Sequence, residues 1–292
     1  MKKLGLATAL LLAMTGAQAY QFEVQGQSEY IDTTQNGKNF TGGVEGTYYL
    51  KDVDSSKGPL AEAAFINQAS NVSAAYSYLK YDEKTDDVNI KSQNYGVKAE
   101  GYIPTPVVPV YASASYNHTF TKVKNNGDDN GDRYALEVGA VVIPNLLVAA
   151  GYTNVPNQFS MDTFGIMNNG IASAFLESEA INEKQDSATI RAKYVGPITG
   201  TNMSFGFETA AAIGEDTLYG LKSDLYLNNK LSVGMKFIGT DATHSYFDQA
   251  WGGDVNYFIT PAVGVGVSYL HANTKGVSLD TDTVGLNAKF RF

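Results

Sequence analysis

Thr283-Val284-Gly285-Leu286-Asn287-Ala288-Lys289-Phe290-Arg291-Phe292 is the stretch that decides the fold. Val284, Leu286, Ala288, Phe290 and Phe292 fall on one face, and Thr283, Gly285, Asn287, Lys289 and Arg291 on the other. A period of two with one apolar and one polar side is a strand between two different environments. The sequence ends on its aromatic. In a water-soluble sheet this would be an adhesive edge strand. In a bilayer it is expected to pair with the first strand, closing a barrel with its apolar side toward lipid.

The other end agrees. Met1-Lys2-Lys3 is basic, Leu4 to Met14 is a short apolar run, and Ala17-Gln18-Ala19 has the small-x-small form of a cleavage site. Residues 1–19 therefore read as a signal peptide, leaving 20–292 as one barrel with no internal domain boundary. The apolar run is too short to span a bilayer as a helix, and no later stretch is long enough.

Composition narrows the function. The formal net charge of −9 becomes −11 without Lys2 and Lys3. Such an acidic exported chain lacks the basic footprint of a nucleic-acid-binding protein. There is no cysteine, and a large hydrogen-bonded barrel does not need disulfides. The 19 tyrosines suit a water–lipid boundary, where the ring is in an apolar region and the hydroxyl is wet.

Along the chain the same alternation recurs. Phe22, Val24 and Tyr30 alternate with Glu23, Gln25, Gln27 and Glu29; after Thr34-Gln35-Asn36-Gly37, Phe40, Val44, Tyr48 and Leu50 alternate with Glu45, Thr47, Tyr49 and Lys51. Two such runs around Asn-Gly form a hairpin. Twelve further strands follow, giving an all-β, transmembrane, antiparallel up-and-down barrel of about 14 strands, an even number as such barrels have. Short connections (Pro144-Asn145, Asn228-Asn229, Thr260-Pro261) alternate with longer ones near Asp128, Met167, Asp241 and Lys275, as periplasmic turns alternate with extracellular loops. Asn125 to Asp132 reads as a polar loop. The Ala-rich part of residues 52–70 fits either a short helix or a short strand.

Several stretches resemble one known family: Gln21-Phe22-Glu23-Val24, Lys57-Gly58-Pro59-Leu60-Ala61-Glu62-Ala63-Ala64-Phe65, Pro104-Thr105-Pro106-Val107-Val108-Pro109-Val110-Tyr111-Ala112, Lys193-Tyr194-Val195-Gly196-Pro197-Ile198 and Ala288-Lys289-Phe290-Arg291-Phe292. Together with the leader they are similar to an Acinetobacter outer-membrane porin family, named for an apparent mass in the mid-thirties of kilodaltons. The resemblance covers essentially the whole chain. It implies a monomeric water-channel porin in the outer membrane of a Gram-negative bacterium, in contact with outer-membrane lipid and lipopolysaccharide. Phe290 and Phe292 resemble the C-terminal signal read by the barrel-assembly machinery.

The inward positions carry the functional reading. Glu23, Glu29, Glu45, Glu100, Glu137, Glu208, Asp224 and Asp254 nearly balance Lys51, Lys98, Arg133, Arg191, Lys193, Lys222, Lys236, Lys289 and Arg291. Glu23 is expected to meet Lys289 or Arg291 across the closing seam. A barrel of ~8 strands is filled by side chains and one of ~16–18 leaves an open channel, so fourteen lies between. Paired charges narrow a passage and cancel its field. Two readings follow: a narrow channel for water and small polar solutes, or a filled barrel that meets partners through its loops. Residues 155–185 contain too many apolar side chains for a loop in water. Phe164, Ile171 and Phe175 are its constriction candidates, and Ile171, Ala174, Phe175 and Ser178 share a helical face. The segment is expected either to fold inward and constrict the lumen or to pack on the loop crown.

Catalysis and cofactors find no support. His118, His244 and His271 each fall near an expected extracellular strand end, and none stands beside a nucleophile in a recognisable motif. Asp128-Asp129-Asn130-Gly131-Asp132 has oxygen ligands but lacks the later Glu of a calcium loop, so a solvated turn is the simpler reading.

Overall fold

The computed structural model describes residues 19–33, 39–82, 89–124, 127–181, 184–242, 245, 247–274 and 280–292. Fourteen antiparallel strands close into one barrel in which each strand pairs with its sequence neighbours and the last with the first. They are β1 (Ala19–Thr33), β2 (Asn39–Asp54), β3 (Asn71–Asp82), β4 (Asn89–Ile103), β5 (Val110–Val123), β6 (Gly127–Ile143) and β7 (Leu146–Val155), then β8 (Gln185–Pro197), β9 (Ser204–Ile213), β10 (Thr217–Tyr226), β11 (Leu231–Thr240), β12 (Phe247–Thr260), β13 (Val263–Thr274) and β14 (Thr281–Arg291). The expected signal peptide, apart from Ala19, the Asn36-Gly37 turn and His244 lie outside the described residues.

Closure depends on the terminal strand. β1 and β14 pair in unbroken register from Glu23–Arg291 to Thr33–Thr281. The Phe292 amide donates to the Phe22 carbonyl at 2.8 Å, so the ladder runs to the final residue. Val284, Leu286, Phe290 and Phe292 all face outward and are exposed on the isolated chain. They belong to a continuous outer surface that includes Leu50, Val97, Leu136, Val138, Ile190 and Met235. In water such a surface would drive association. In a bilayer it is the solvated surface, and the ring of paired strands satisfies every backbone group that hydrocarbon cannot.

Both ends of the ring lie at the same edge, since fourteen strands bring the chain back to its starting side. That periplasmic edge carries the short connections at 144–145, 198–203, 227–230 and 261–262. It also carries the first of the non-strand segments. After a 3-10 turn (Leu60–Glu62), α1 (Ala63–Ile66) resolves the Ala-rich stretch as helix, with the Asn67 side-chain amide donating to the Ala63 carbonyl at 2.8 Å. The Leu60 amide donates to the Asn229 carbonyl at 2.8 Å, so the segment reaches over the periplasmic opening.

Three local expectations are corrected. Residues 127–132 are not a loop but the start of β6, paired residue by residue with His118–Val123 of β5. Their polarity reflects a hairpin that continues past the lipid band into water, where alternation of polar and apolar faces is no longer required. The β10–β11 connection spans residues 227–230 rather than two residues, tightened by the Asn228 carboxamide oxygen accepting from the Lys230 and Leu231 amides. Lys51 is exposed rather than inward, because β2 slips register against β1 between Tyr20 and Phe22 and the alternation breaks there.

The lipid face gives a direct test. Leu286 is mid-strand and outward. Leu286→Arg is expected to destabilise the inserted, folded barrel by about 2–4 kcal/mol, the cost of a guanidinium near the midplane. The adjacent lumen-facing change Asn287→Arg should cost much less. Reversible denaturant titration in lipid vesicles, read by heat-modifiable gel migration, measures both; equal losses would contradict the assigned faces.

Candidate functional site: a charged lumen beneath a helical insert

The connection between β7 and β8 does not stay outside the barrel. It forms α2 (Thr163–Asn169) and α3 (Ile171–Ala180), which cross the lumen. α2 packs on β1–β4 and α3 on β10–β12, so the pair bridges separate arcs of the wall. α3 is apolar on most of its circumference, the pattern of a helix buried on several sides. Ile171 and Ala174 pack with Ile31, Leu79, Met161 and Ile166, with Phe159 and Phe175 alongside. Ala172, Leu176 and Ala180 pack with Ala212, Leu218, Ala250, Leu270 and Ala272 on inward faces of β9–β13. The upper barrel interior therefore contains a dry layer.

Helix ends in a confined space need partners for their free amides and carbonyls. The barrel wall supplies them. Asp162 caps α2, its Oδ1 accepting from the Phe164 amide at 3.0 Å. At the other end of α2, Gln27 Nε2 donates to the Ile166 carbonyl at 3.0 Å, Gln25 Nε2 to Met167 at 2.9 Å and Lys236 Nζ to Asn169 at 2.7 Å. The first amide of α3, on Ile171, donates to Glu29 Oε2 at 2.7 Å. A cation at a helix C-terminus and a carboxylate at an N-terminus both oppose the helix dipole. The junction, Gly170, has φ +91° and ψ 163°, a conformation essentially restricted to glycine, and a Cβ there would lie 2.6 Å from Glu29 Oε1. On the wall, a Cβ on Gly43 would meet Met167 Sδ at 2.6 Å, so the absent side chain makes room for α2.

Ser173 and Glu177, one turn apart on α3, face a central chamber of about 640 Å³. A second chamber of about 210 Å³ lies toward the periplasmic end. The two share Lys98, Glu100, Arg191, Lys193 and Glu62 as lining residues, with Phe164 over the junction. The charges at this junction form one chain of contacts. Lys98 Nζ lies 2.9 Å from Glu100 Oε1, which also accepts from the Tyr111 hydroxyl at 2.8 Å. Arg191 donates to Tyr111 Oη at 3.0 Å, to both oxygens of Glu137 at 3.0 and 2.7 Å, and to Glu208 at 3.2 Å. Lys193 lies 2.9 Å from Glu62 and 3.7 Å from Glu208, and Glu62 accepts from the Tyr226 hydroxyl at 2.9 Å. The bidentate guanidinium–carboxylate contact is the strongest kind of ion pair geometrically.

Lys98, Glu100, Arg191 and Lys193 border both chambers; Arg133, Glu137, Glu208, Lys222 and Asp224 border the central one and Glu45 the periplasmic one. Lys222 and Asp224 are 3.8 Å apart. Arg133 leaves the wall network and pairs with Glu177 of the insert. Phe164 is buried beneath Lys98, whose Nζ stands 5.9 Å from the ring, and Ile171 is buried within the apolar layer. Phe175 sits on the outer side against Phe159, with ring centroids 5.9 Å apart, and does not border the chambers. At the seam, Glu23 meets Lys289 at 3.0 Å and Arg291 at 2.7 Å. His118 and His271 lie on the outward face, their Nδ1 atoms 2.9 Å from Asp132 and Asp282.

Sequence reasoning missed Glu62, Tyr111 and Tyr226 as members of the network, and Gln25 and Gln27 as anchors of the insert. The tyrosines fall on inward positions, which marks their hydroxyls as lumen groups. Glu62 had no strand parity to betray it.

The whole chain, residues 1–292, matches the family model described as "Putative general bacterial porin". The protein belongs to this porin family. No curated protein matches. Among solved structures, it is similar to the Acinetobacter baumannii outer membrane protein Omp33, with 49% identity, a TM-score of 0.71, and coverage of 95% of this chain and 100% of that one. The CymD monoaromatic hydrocarbon channel shares the fold at 9% identity and a TM-score of 0.56, over 94% of this chain and 89% of that chain. The porin is thus an outer-membrane β-barrel of a Gram-negative bacterium.

Gly170→Ala tests the docking of the insert in this porin. The strained backbone and the contact with Glu29 should cost about 1–3 kcal/mol locally, leaving the barrel intact. Limited proteolysis is expected to cut between residues 155 and 185 faster in the variant, with unchanged heat-modifiable migration. Equal cleavage rates would refute the anchoring.

Proposed function

We propose that this porin is a narrow passive channel for water and small polar solutes, throttled by α2 and α3. The carrying observation is the pair of chambers that share a charged junction below the helical insert. Polar walls replace part of the hydration shell of a passing solute. The close contacts among Lys98, Glu100, Arg191, Glu137, Glu208 and Lys193 leave little net charge along that wall, which supports weak ion selectivity. Phe164, beside Lys98, is the residue of the insert best positioned to narrow the junction; Ile171 acts as its anchor. The lumen is enclosed by a single chain, which supports a monomer.

A second reading has its own support. The insert buries Leu176, Met161, Ile166 and Met167 almost completely, as a permanent plug would. In that case the barrel is a platform for surface contacts.

Osmotic swelling of liposomes with solutes of graded size separates the two. Small solutes are expected to enter with the intact protein, and deletion of residues 160–180 should raise both rate and size limit. A protein silent to every solute favours the plugged platform, and a deletion that leaves permeability unchanged rules out the constriction.

A further inference from the structure

Three lysines stand directly opposite one another across adjacent strands. Lys80 of β3 pairs in register with Lys91 of β4, and Lys91 with Lys122 of β5. All three lie on the outward parity of their strands, that of Tyr76, Tyr95 and Tyr116, and near the ends remote from the termini. That edge is the extracellular one. Two residues nearer the membrane the same three strands carry Tyr78, Gln93 and Phe120 in one row. The lysines are therefore the first charges above the apolar and aromatic band, and Lys122 Nζ stands 5.2 Å from the Phe120 ring centroid.

Like charges directly opposite in a sheet are destabilising, and neighbouring strands are only ~4.8 Å apart. The protein does little to offset this. Lys80 lies 3.7 Å from Asp82 and Lys122 3.3 Å from Asp128, both exposed pairs of small energetic weight. The central Lys91 is exposed, and no acidic side chain among the described residues makes an ion pair with it. Elsewhere on the outward rim tyrosines compensate charge. Three of its carboxylates are satisfied from within: Asp132 by the Tyr116 hydroxyl at 2.6 Å, Asp186 by Tyr152 at 2.6 Å and Asp282 by Tyr269 at 2.5 Å. In a chain of net charge −9, a row of three ammonium groups at the outer-leaflet boundary, of which the outer two meet only exposed carboxylates, is a local exception.

We infer that Lys80, Lys91 and Lys122 form a binding site for the phosphate groups of the outer-leaflet glycolipid, the lipid A part of lipopolysaccharide. Flexible ammonium donors on neighbouring strands can converge on one phosphate as point charges. Tyr78 and Phe120 in the row beneath face the start of the acyl chains, and a bound phosphate offsets the repulsion among the lysines. Basic residues at a membrane surface attract anionic lipid in this way.

The test is retention of lipid A by the purified full-length protein in detergent, measured by native mass spectrometry. Bisphosphorylated lipid A, its dephosphorylated form and inorganic phosphate are the probes. Wild type should bind the bisphosphorylated lipid, and Lys80→Gln/Lys91→Gln/Lys122→Gln should bind it on the order of a hundredfold more weakly. Heat-modifiable migration checks the fold. If the triple variant does not fold, Lys91→Gln alone is expected to lose about fivefold. Equal binding by folded variant and wild type overturns the site. Equal binding of dephosphorylated lipid reduces it to acyl packing and also overturns it. Tight binding of inorganic phosphate without lipid A overturns the lipid assignment.

Discussion

Hydrocarbon offers no hydrogen bonds, and this single constraint orders the molecule. Any backbone amide or carbonyl left open to lipid costs several kcal/mol. A sheet in that solvent must have no edge, so the first and last strands must find each other across almost the whole sequence. The Glu23–Arg291 to Thr33–Thr281 ladder does so, and the Phe292–Phe22 hydrogen bond carries it to the end of the chain. The charges at the same seam are a consequence. Glu23, Lys289 and Arg291 face inward because the outer parity is reserved for Phe22, Phe290 and Phe292.

Closure in turn creates an interior that has to be managed. Fourteen strands enclose more space than wall side chains can fill. The porin divides that space into layers of different chemistry. The extracellular half is lined with Ile31, Leu79, Ala212 and Leu270 and filled by helices. The lower half is lined with ionisable groups that contact each other along the wall and, through Glu62 of the β2–β3 segment, across the opening. The helices fit because the wall was shaped for them: Gln25, Gln27, Glu29 and Lys236 complete their end hydrogen bonds.

The fold was legible because one physical rule acts on every residue. Alternation in Val284–Phe292, Phe22–Tyr30 and Tyr134–Val142 gave strands, parity gave faces, and connection length gave orientation. The errors arose where that rule stops acting. Residues 127–132 extend a hairpin in water, where a strand has no need of an apolar side. Lys51 sits at a register slip that resets parity. The site was legible only as a set of inward residues. Which of them touch depends on neighbours far apart in sequence, such as Arg191 with Glu137 or Glu29 with Ile171, and no local pattern encodes such pairs. The inward alanines and leucines of β9–β13 were a signal that could have been used: strands apolar on both faces need a second partner, and the 155–185 segment was the available one.

The bridging position of α2 and α3 bears on how the molecule comes to exist. Their seats lie on β1–β4 at one side and β10–β12 at the other, while the segment itself is tethered between β7 and β8. Neither seat adjoins the tether in the sheet, so a sheet growing outward from β7–β8 must extend to β4 on one side and β10 on the other before it touches both helices. Contacts so distant in sequence form late, since the chain must be ordered between them first. The insert thus works as a gauge of completion. Until the two arcs have curved to their final separation its ends have no carbonyl or amide partners, and once they have, it braces the ring from within.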